Sequence, residues 1–111
     1  MALKHAQPLD VMDVSPLGDK LHASVTHSLL KTGTLQLMRV VLLAGHSLPE
    51  HHVAGEMTVQ CLEGEAVVTT PHRVCTLTAG QLLTLPGGEP HAVTAVTDTS
   101  LLVTVLLAGQ A

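Results

Sequence analysis

Residues 80–92 read GQLLTLPGGEPHA, and this stretch contains the most specific signal in the sequence. An alternating apolar segment runs into Pro86, Gly87 and Gly88, and His91 follows three residues after the second glycine. Proline and glycine in this arrangement end a strand and form a tight turn. A turn alone does not require a histidine, so we predict that this one directs His91 into the interior of the fold.

The rest of the chain also has the pattern of a β protein. Short runs rich in Val, Thr and Leu alternate with Gly, Pro and Asp, which is typical of strands and turns. The 111 residues suffice for one domain, and its core must be aliphatic because Phe, Tyr and Trp are absent. Strands are predicted at 22–31, 34–43, 57–62, 65–70, 73–78, 81–85, 91–97 and 101–107. We therefore expect an all-β antiparallel barrel or sandwich at residues 21–111, preceded by an N-terminal arm at residues 1–20.

Composition and charge exclude several classes of partner. The formal net charge is −4, with only five Lys and Arg and no aromatic residue on which a base could stack, which argues against nucleic acid. No apolar run has the length of a membrane span or a signal peptide, so no membrane partner is expected. Cys61 and Cys75 lack the CxxC spacing and are interpreted as free thiols, which favours a cytoplasmic location.

Two predicted strands are apolar on both faces. They are LQLMRVVLL, residues 35–43, and LLVTVLL, residues 101–107. Such strands are covered on both sides in folded proteins, and a chain of this size supplies one cover. We therefore predict a homodimer, with residues before about 20 lying partly on the neighbouring subunit.

A second segment, AGHSLPEHHVAGEMTVQCLEG at residues 44–64, has the same arrangement as residues 80–92. In each segment a glycine turn and a short loop lead to a histidine at the start of a strand. In an antiparallel barrel these strand starts can lie side by side, and imidazoles that converge there form a metal site with open positions. Four other histidines have no such companions and are predicted to lie on the surface: His5, His22, His27 and His72.

The spacing of the first segment resembles the second motif of small single-domain cupins of the RmlC-like superfamily. That motif has a glycine, five residues, Pro-x-Gly, two residues and His, and here Gly80, Pro86, Gly88 and His91 occupy these positions. Ala95 stands where the family commonly has Asn. The resemblance covers about residues 30–107 and implies a double-stranded β-helix, the cupin-type barrel or jelly roll.

The first cupin motif is matched only at its ends. Gly45 and His51 fit its beginning and Gly64 fits its final glycine, but the position of the family's carboxylate falls on Met57. Glu56 lies one residue early.

The second histidine of that motif is also displaced. Taking His51 as the first histidine places Val53 at the second, whereas a register shifted by one gives Glu50 and His52. Neighbouring residues of a regular strand point to opposite faces, so His51 and His52 cannot both face inward without a bulge at 53–55.

The resemblance implies a divalent metal, whether Zn, Ni, Fe, Mn or Cu, in the barrel mouth. Within that expectation the ligands are His51 and His91, with His52 and Glu56 as weaker candidates. The strands that follow the motifs place small apolar side chains on the same inner face, so a ligand pocket is predicted as well. Its residues are Met57, Val59, Cys61, Val93 and Ala95.

Two functions remain open at this point. Cupins include metal-dependent oxygenases, isomerases and decarboxylases, so one hypothesis is a metalloenzyme of undetermined reaction. The incomplete first motif and the apolar inner face favour the alternative, a non-catalytic module that binds a small molecule without metal.

Overall fold

The computed structural model of the chain describes residues 4–107, and within that range nearly all regular structure is β-strand. One 3-10 helix precedes nine strands. The elements are the helix Gly18–Ala23, β1 (His27–Lys31), β2 (Leu35–Leu42), β3 (Ser47–His51), β4 (Met57–Glu63), β5 (Glu65–Thr69), β6 (Val74–Thr78), β7 (Leu82–Leu85), β8 (His91–Ala95) and β9 (Thr99–Leu106).

The strands form two sheets whose inner faces enclose one core. The larger sheet has the order β1-β2-β9-β4-β7 and the smaller one β3-β8-β5-β6, and every pairing is antiparallel. The chain crosses between the sheets repeatedly, as in a double-stranded β-helix. The predicted all-β antiparallel barrel is therefore confirmed. Residues 1–3 and 108–111 of the predicted arm and domain lie outside the described range.

Two predicted boundaries are wrong for identifiable reasons. Residues 44–50 were expected to separate two strands, but Ser47–His51 form β3, which pairs with β8 at the edge of the smaller sheet. An edge strand accepts Pro49 because its missing N–H faces away from the ladder. The strand expected from residue 22 begins at His27, because residues 18–23 form the 3-10 helix instead. Leu21 is the buried residue of that helix.

The core between the sheets is aliphatic, as the composition requires. Val59, Val68 and Leu101 are at most 1% exposed, and side chains from both sheets surround them. β-branched side chains have few rotamers, so a core without aromatic rings can still pack in one arrangement. Among the described cysteines, Cys61 is buried in this core, Cys75 is half-buried, and each is a free thiol.

A carboxylate ties the N-terminal arm to the barrel. Glu63 at the end of β4 accepts hydrogen bonds from the backbone N–H of Leu17 (2.8 Å) and of Gly18 (3.0 Å) and from the hydroxyl of Ser100. Burial opposes ionisation of Glu63, but these hydrogen bonds and the nearby Arg39 guanidinium outweigh it and lower the pKa of the carboxyl. The ionised form of Glu63 is therefore the form that the folded chain stabilises.

Arg39 lies behind this carboxylate and is itself buried, at 3% exposed. Its guanidinium donates to the hydroxyl of Ser100 (3.4 Å) and to the backbone carbonyl of Asp13 (3.2 Å). We call Arg39, Glu63 and Ser100 the arm cluster, because together they bind residues 13–18.

No helix of the described range is long and apolar enough to cross a membrane.

Candidate functional site

A cavity of about 630 Å³ opens between the two sheets. Its volume lies within the range of small-molecule sites, and most of its lining is apolar. The aliphatic lining comes from β2, β4 and β9 of the larger sheet and from β3 and β8 of the smaller one. These side chains are Met38, Val40, Leu48, Met57, Val59, Val93, Leu101, Val103, Val105 and Leu106.

The strand register arranges the larger sheet's lining in rows of increasing depth. The outer row is Gln36, Val105 and Met57, the middle row is Met38, Val103 and Val59, and the inner row is Val40 and Leu101. Gln36 is half-buried, whereas Leu101 is 1% exposed. Polar groups therefore lie at the mouth and aliphatic groups form the floor.

The smaller sheet brings the two motif histidines together in the cavity wall, where His51 is exposed and His91 is buried at 1% exposed. His51 of β3 and His91 of β8 are register partners, and both side chains line the cavity. Their ring centroids are 4.3 Å apart with the planes inclined at 57°. The register shift between Leu48 and His51 is the irregularity that lets β3 present His51 to this side. We call these two side chains the imidazole pair.

The hydrogen bonds of the imidazole pair determine which nitrogen of each ring is left as an acceptor. Nδ1 of His51 lies 3.1 Å from the carbonyl oxygen of Pro49, and Nδ1 of His91 lies 3.0 Å from that of Glu89. A carbonyl oxygen only accepts, so in the neutral ring each Nδ1 carries the proton and each Nε2 keeps a lone pair. His51 and His91 thus offer two Nε2 lone pairs side by side.

The turn formed by Pro86, Gly87 and Gly88 packs against a neighbouring loop, in addition to leading into His91. Gly88 donates its N–H to the carbonyl oxygen of Val53 at 2.8 Å, which joins the turn to the loop at 53–55. A side chain at Gly87 would overlap the carbonyl oxygen of Ala54. Glycine is therefore required for the turn to lie against this loop, and the turn leads directly into β8 and His91.

The structure places the remaining predicted site residues in three settings. Met57, Val59 and Val93 line the cavity. Cys61 and Ala95 lie one alternation further along the same strands and are buried in the core, and neither lines the cavity. His52 and Glu56 are exposed and are not among the lining residues, so the structure does not bring them to the imidazole pair.

Few side chains of the site are placed to coordinate a metal ion. No group of three or more His, Cys, Asp or Glu side chains within residues 4–107 is placed to hold a metal ion. The imidazole pair supplies two nitrogen donors, whereas protein metal sites usually supply three or more. The described residues therefore do not fit a resident divalent metal of the kind that the resemblance implies.

Some lining residues were missed in the sequence. Lys31, at the end of β1, and Gln36, opposite it on β2, line the mouth. Met38 and Val103 form part of the wall. The alternation of β2 and β9 could have indicated Gln36, Met38 and Val103, but no local pattern showed which face is inner, because those strands are apolar on both faces.

The comparisons with known proteins agree with this architecture. The sequence profile of the family described as Cupin domain matches residues 38–107, and the chain belongs to that family. No curated protein matches the sequence.

Solved structures extend the likeness to nearly the whole chain. A conserved protein of unknown function from Streptococcus pyogenes is 23% identical, with a TM-score of 0.73 over 96% of this chain and 95% of that one. An RmlC-like cupin from Desulfovibrio desulfuricans is 27% identical, with a TM-score of 0.69 over 92% and 97%. A variant of salicylate 1,2-dioxygenase from Pseudoaminobacter salicylatoxidans is 22% identical, with a TM-score of 0.63 over 69% of this chain and 22% of that one.

Proposed function

We propose that the protein binds a small molecule in the barrel cavity without a resident metal. The ligand has an apolar body and a hydroxyl group that donates to the imidazole pair. The observation that carries this proposal is a pair of histidines, each with its Nε2 left as an acceptor, in the wall of a cavity with an aliphatic floor. Together these features offer a ligand a hydrogen bond to an imidazole and an apolar contact with the floor.

The apolar rows supply affinity and the imidazole pair supplies orientation. Apolar surface removed from water contributes about 25 cal/mol per Å², so a short alkyl chain along the three rows gains several kcal/mol before association costs. A hydroxyl bound to Nε2 of His51 or His91 adds about 1 kcal/mol. A ligand in the reverse orientation would bury its hydroxyl among Val40, Val59 and Leu101, where no acceptor lines the floor.

The second candidate is a metal-dependent cupin enzyme. The imidazole pair and the likeness to the barrel of a dioxygenase support it. It requires ligands beyond His51 and His91, and the exposed His52 and Glu56 would have to move to supply them. Metal content therefore separates the two functions.

The test combines metal analysis with ligand titration. We expect protein purified without chelator or nickel resin to contain well under one metal ion per chain. Titration with 1,3-octanediol, followed by two-dimensional NMR, should shift resonances of the cavity lining. His51→Ala should weaken this binding about fivefold through loss of one hydrogen-bond acceptor, while the exposed His72→Ala should leave it unchanged.

Two results would contradict the proposal. One metal ion per chain that is lost in His91→Ala would favour the metal-dependent enzyme. A diol that shifts no cavity resonance would remove the small-molecule function argued from the apolar rows.

We also propose that two copies of the chain associate through the N-terminal arm. Leu9 and Val11 are fully exposed, which is unusual for large apolar side chains, and Leu9 has a φ of +76°. A non-glycine residue in that region is strained, so an additional contact is expected to hold it. A second copy covering this segment would provide the contact.

Light scattering tests this association. At low micromolar concentration the mass should be that of a dimer, and Leu9→Ser combined with Val11→Ser should shift it toward a monomer. Val74→Ser, which changes another exposed valine, on β6 (65% exposed), is the control and should not. A wild-type monomer under these conditions would contradict the proposal.

A further inference from the structure

The charge of the cavity lining comes from a basic side chain at the end of β1. Lys31 is the one permanently charged side chain among the described lining residues, and that lining contains no Asp or Glu. Lys31 also takes part in neither of the ion pairs found in residues 4–107, which are His22 with Asp98 and His72 with Glu89. The mouth therefore presents an ammonium group whose charge no neighbouring carboxylate balances.

The position of Lys31 relates it to the rest of the lining. It is the register partner of Gln36, which belongs to the outer row. Its aliphatic stem can lie along the apolar wall while the ammonium remains at the mouth, as long basic side chains commonly do. The imidazole pair contributes from the opposite sheet, so the lining combines a cationic donor on one side with nitrogen acceptors on the other.

We infer that the ligand is a hydroxy carboxylate with an aliphatic tail, and this inference rests on the function proposed above. The carboxylate binds Lys31, the hydroxyl donates to the imidazole pair, and the tail extends along the apolar rows. The two polar groups lie near the same end of the molecule, because Lys31 and His51 are both exposed lining residues and the floor is aliphatic. A 3-hydroxy acid of medium chain length has this arrangement.

Two probes with the same carbon skeleton isolate the role of the charge. 3-Hydroxyoctanoate and 1,3-octanediol differ only in having a carboxylate or a hydroxymethyl group at one end. We expect the hydroxy acid to bind about fivefold more tightly, as for an ion pair near a protein surface. The advantage should shrink as salt concentration rises, because salt screens exposed charges.

Lys31→Gln provides the decisive variant, with Lys20→Gln as the control. Both lysines are exposed, but Lys20 does not line the cavity. The affinity advantage of the hydroxy acid should disappear in Lys31→Gln and persist in Lys20→Gln, while binding of the diol remains the same in all three proteins. Neither change removes a buried contact, so the fold is expected to survive.

Each alternative outcome has a distinct meaning. Equal binding of acid and diol to the unaltered protein would overturn the inference but leave the proposed small-molecule function standing. An advantage that persists in Lys31→Gln would overturn the assignment of Lys31. Failure of both probes to bind would overturn the proposed function itself.

Discussion

Replacing Gly64 with valine should cost about 3–5 kcal/mol of unfolding free energy, a large share of the stability of a small domain. Gly64 joins β4 in one sheet to β5 in the other, with a φ of +86°. A side chain there is strained by the backbone and would also overlap the carbonyl oxygen of Asp98 and the hydroxyl of Thr99. Neither obstacle is the free end of a flexible side chain, so the connection itself must move.

Gly33→Ala is the matched control. Gly33 also lies in a turn between strands, but it is not among the glycines with positive φ and a Cβ there would meet open space. Its replacement should change stability by less than about 1 kcal/mol, and in the stabilising direction if the backbone is compatible. Urea unfolding followed by far-ultraviolet circular dichroism measures both variants. Equal stabilities for the two would contradict the role assigned to Gly64.

Glu63→Gln should be the next most damaging change, lowering the unfolding free energy at pH 7 by about 2–3 kcal/mol. The carboxylate accepts charge-assisted hydrogen bonds from Leu17, Gly18 and Ser100, and it faces the buried guanidinium of Arg39. An amide has one oxygen acceptor and turns an N–H₂ donor toward these donors. The arm cluster then loses its negative charge.

The same carboxylate makes stability depend on pH. The pKa of Glu63 is lower in the folded chain than its ordinary value of 4.5, so the folded state binds fewer protons. Its contribution is fully present above that ordinary value and is lost as pH falls through the folded pKa. The difference in stability between the unaltered protein and Glu63→Gln should therefore narrow below about pH 4.5.

Glu50→Gln removes the same charge from an exposed position on β3 and is the control. It should change stability little at any pH, because exposed carboxylates without close partners contribute little. If Glu63→Gln behaved in the same way, the hydrogen bonds of the arm cluster would carry no net stabilisation.

Strand periodicity predicted most of the fold because alternation and turn residues are local properties. The Gly80 to His91 spacing identified β7, the turn and the start of β8 correctly for the same reason. β3 was missed because Pro49 and the polar residues around it are typical of a loop. It becomes a strand through pairing with β8, a contact between residues distant in sequence.

The candidate site was harder to predict from the sequence than the fold. Alternation placed Met57, Val59 and Val93 on the inner face, but it could not show that Cys61 and Ala95 are enclosed in the core and do not line the cavity. Which inner residues line the cavity depends on how the two sheets close over the core. Arg39 stands in an apolar strand, and its burial against the N-terminal arm is a contact that strand periodicity does not describe.

The central position of β9 determines when the barrel can form. β9 follows all the other described strands in the chain, yet it lies between β2 and β4 and pairs with both along most of its length. Until residues 99–106 have left the ribosome, β2 and β4 therefore expose unpaired edges and the sheet remains in two parts. The cavity cannot form before β9 is available to join the two parts. Folding must wait for contacts across some sixty residues of chain, which makes it slow and exposes apolar edges to aggregation.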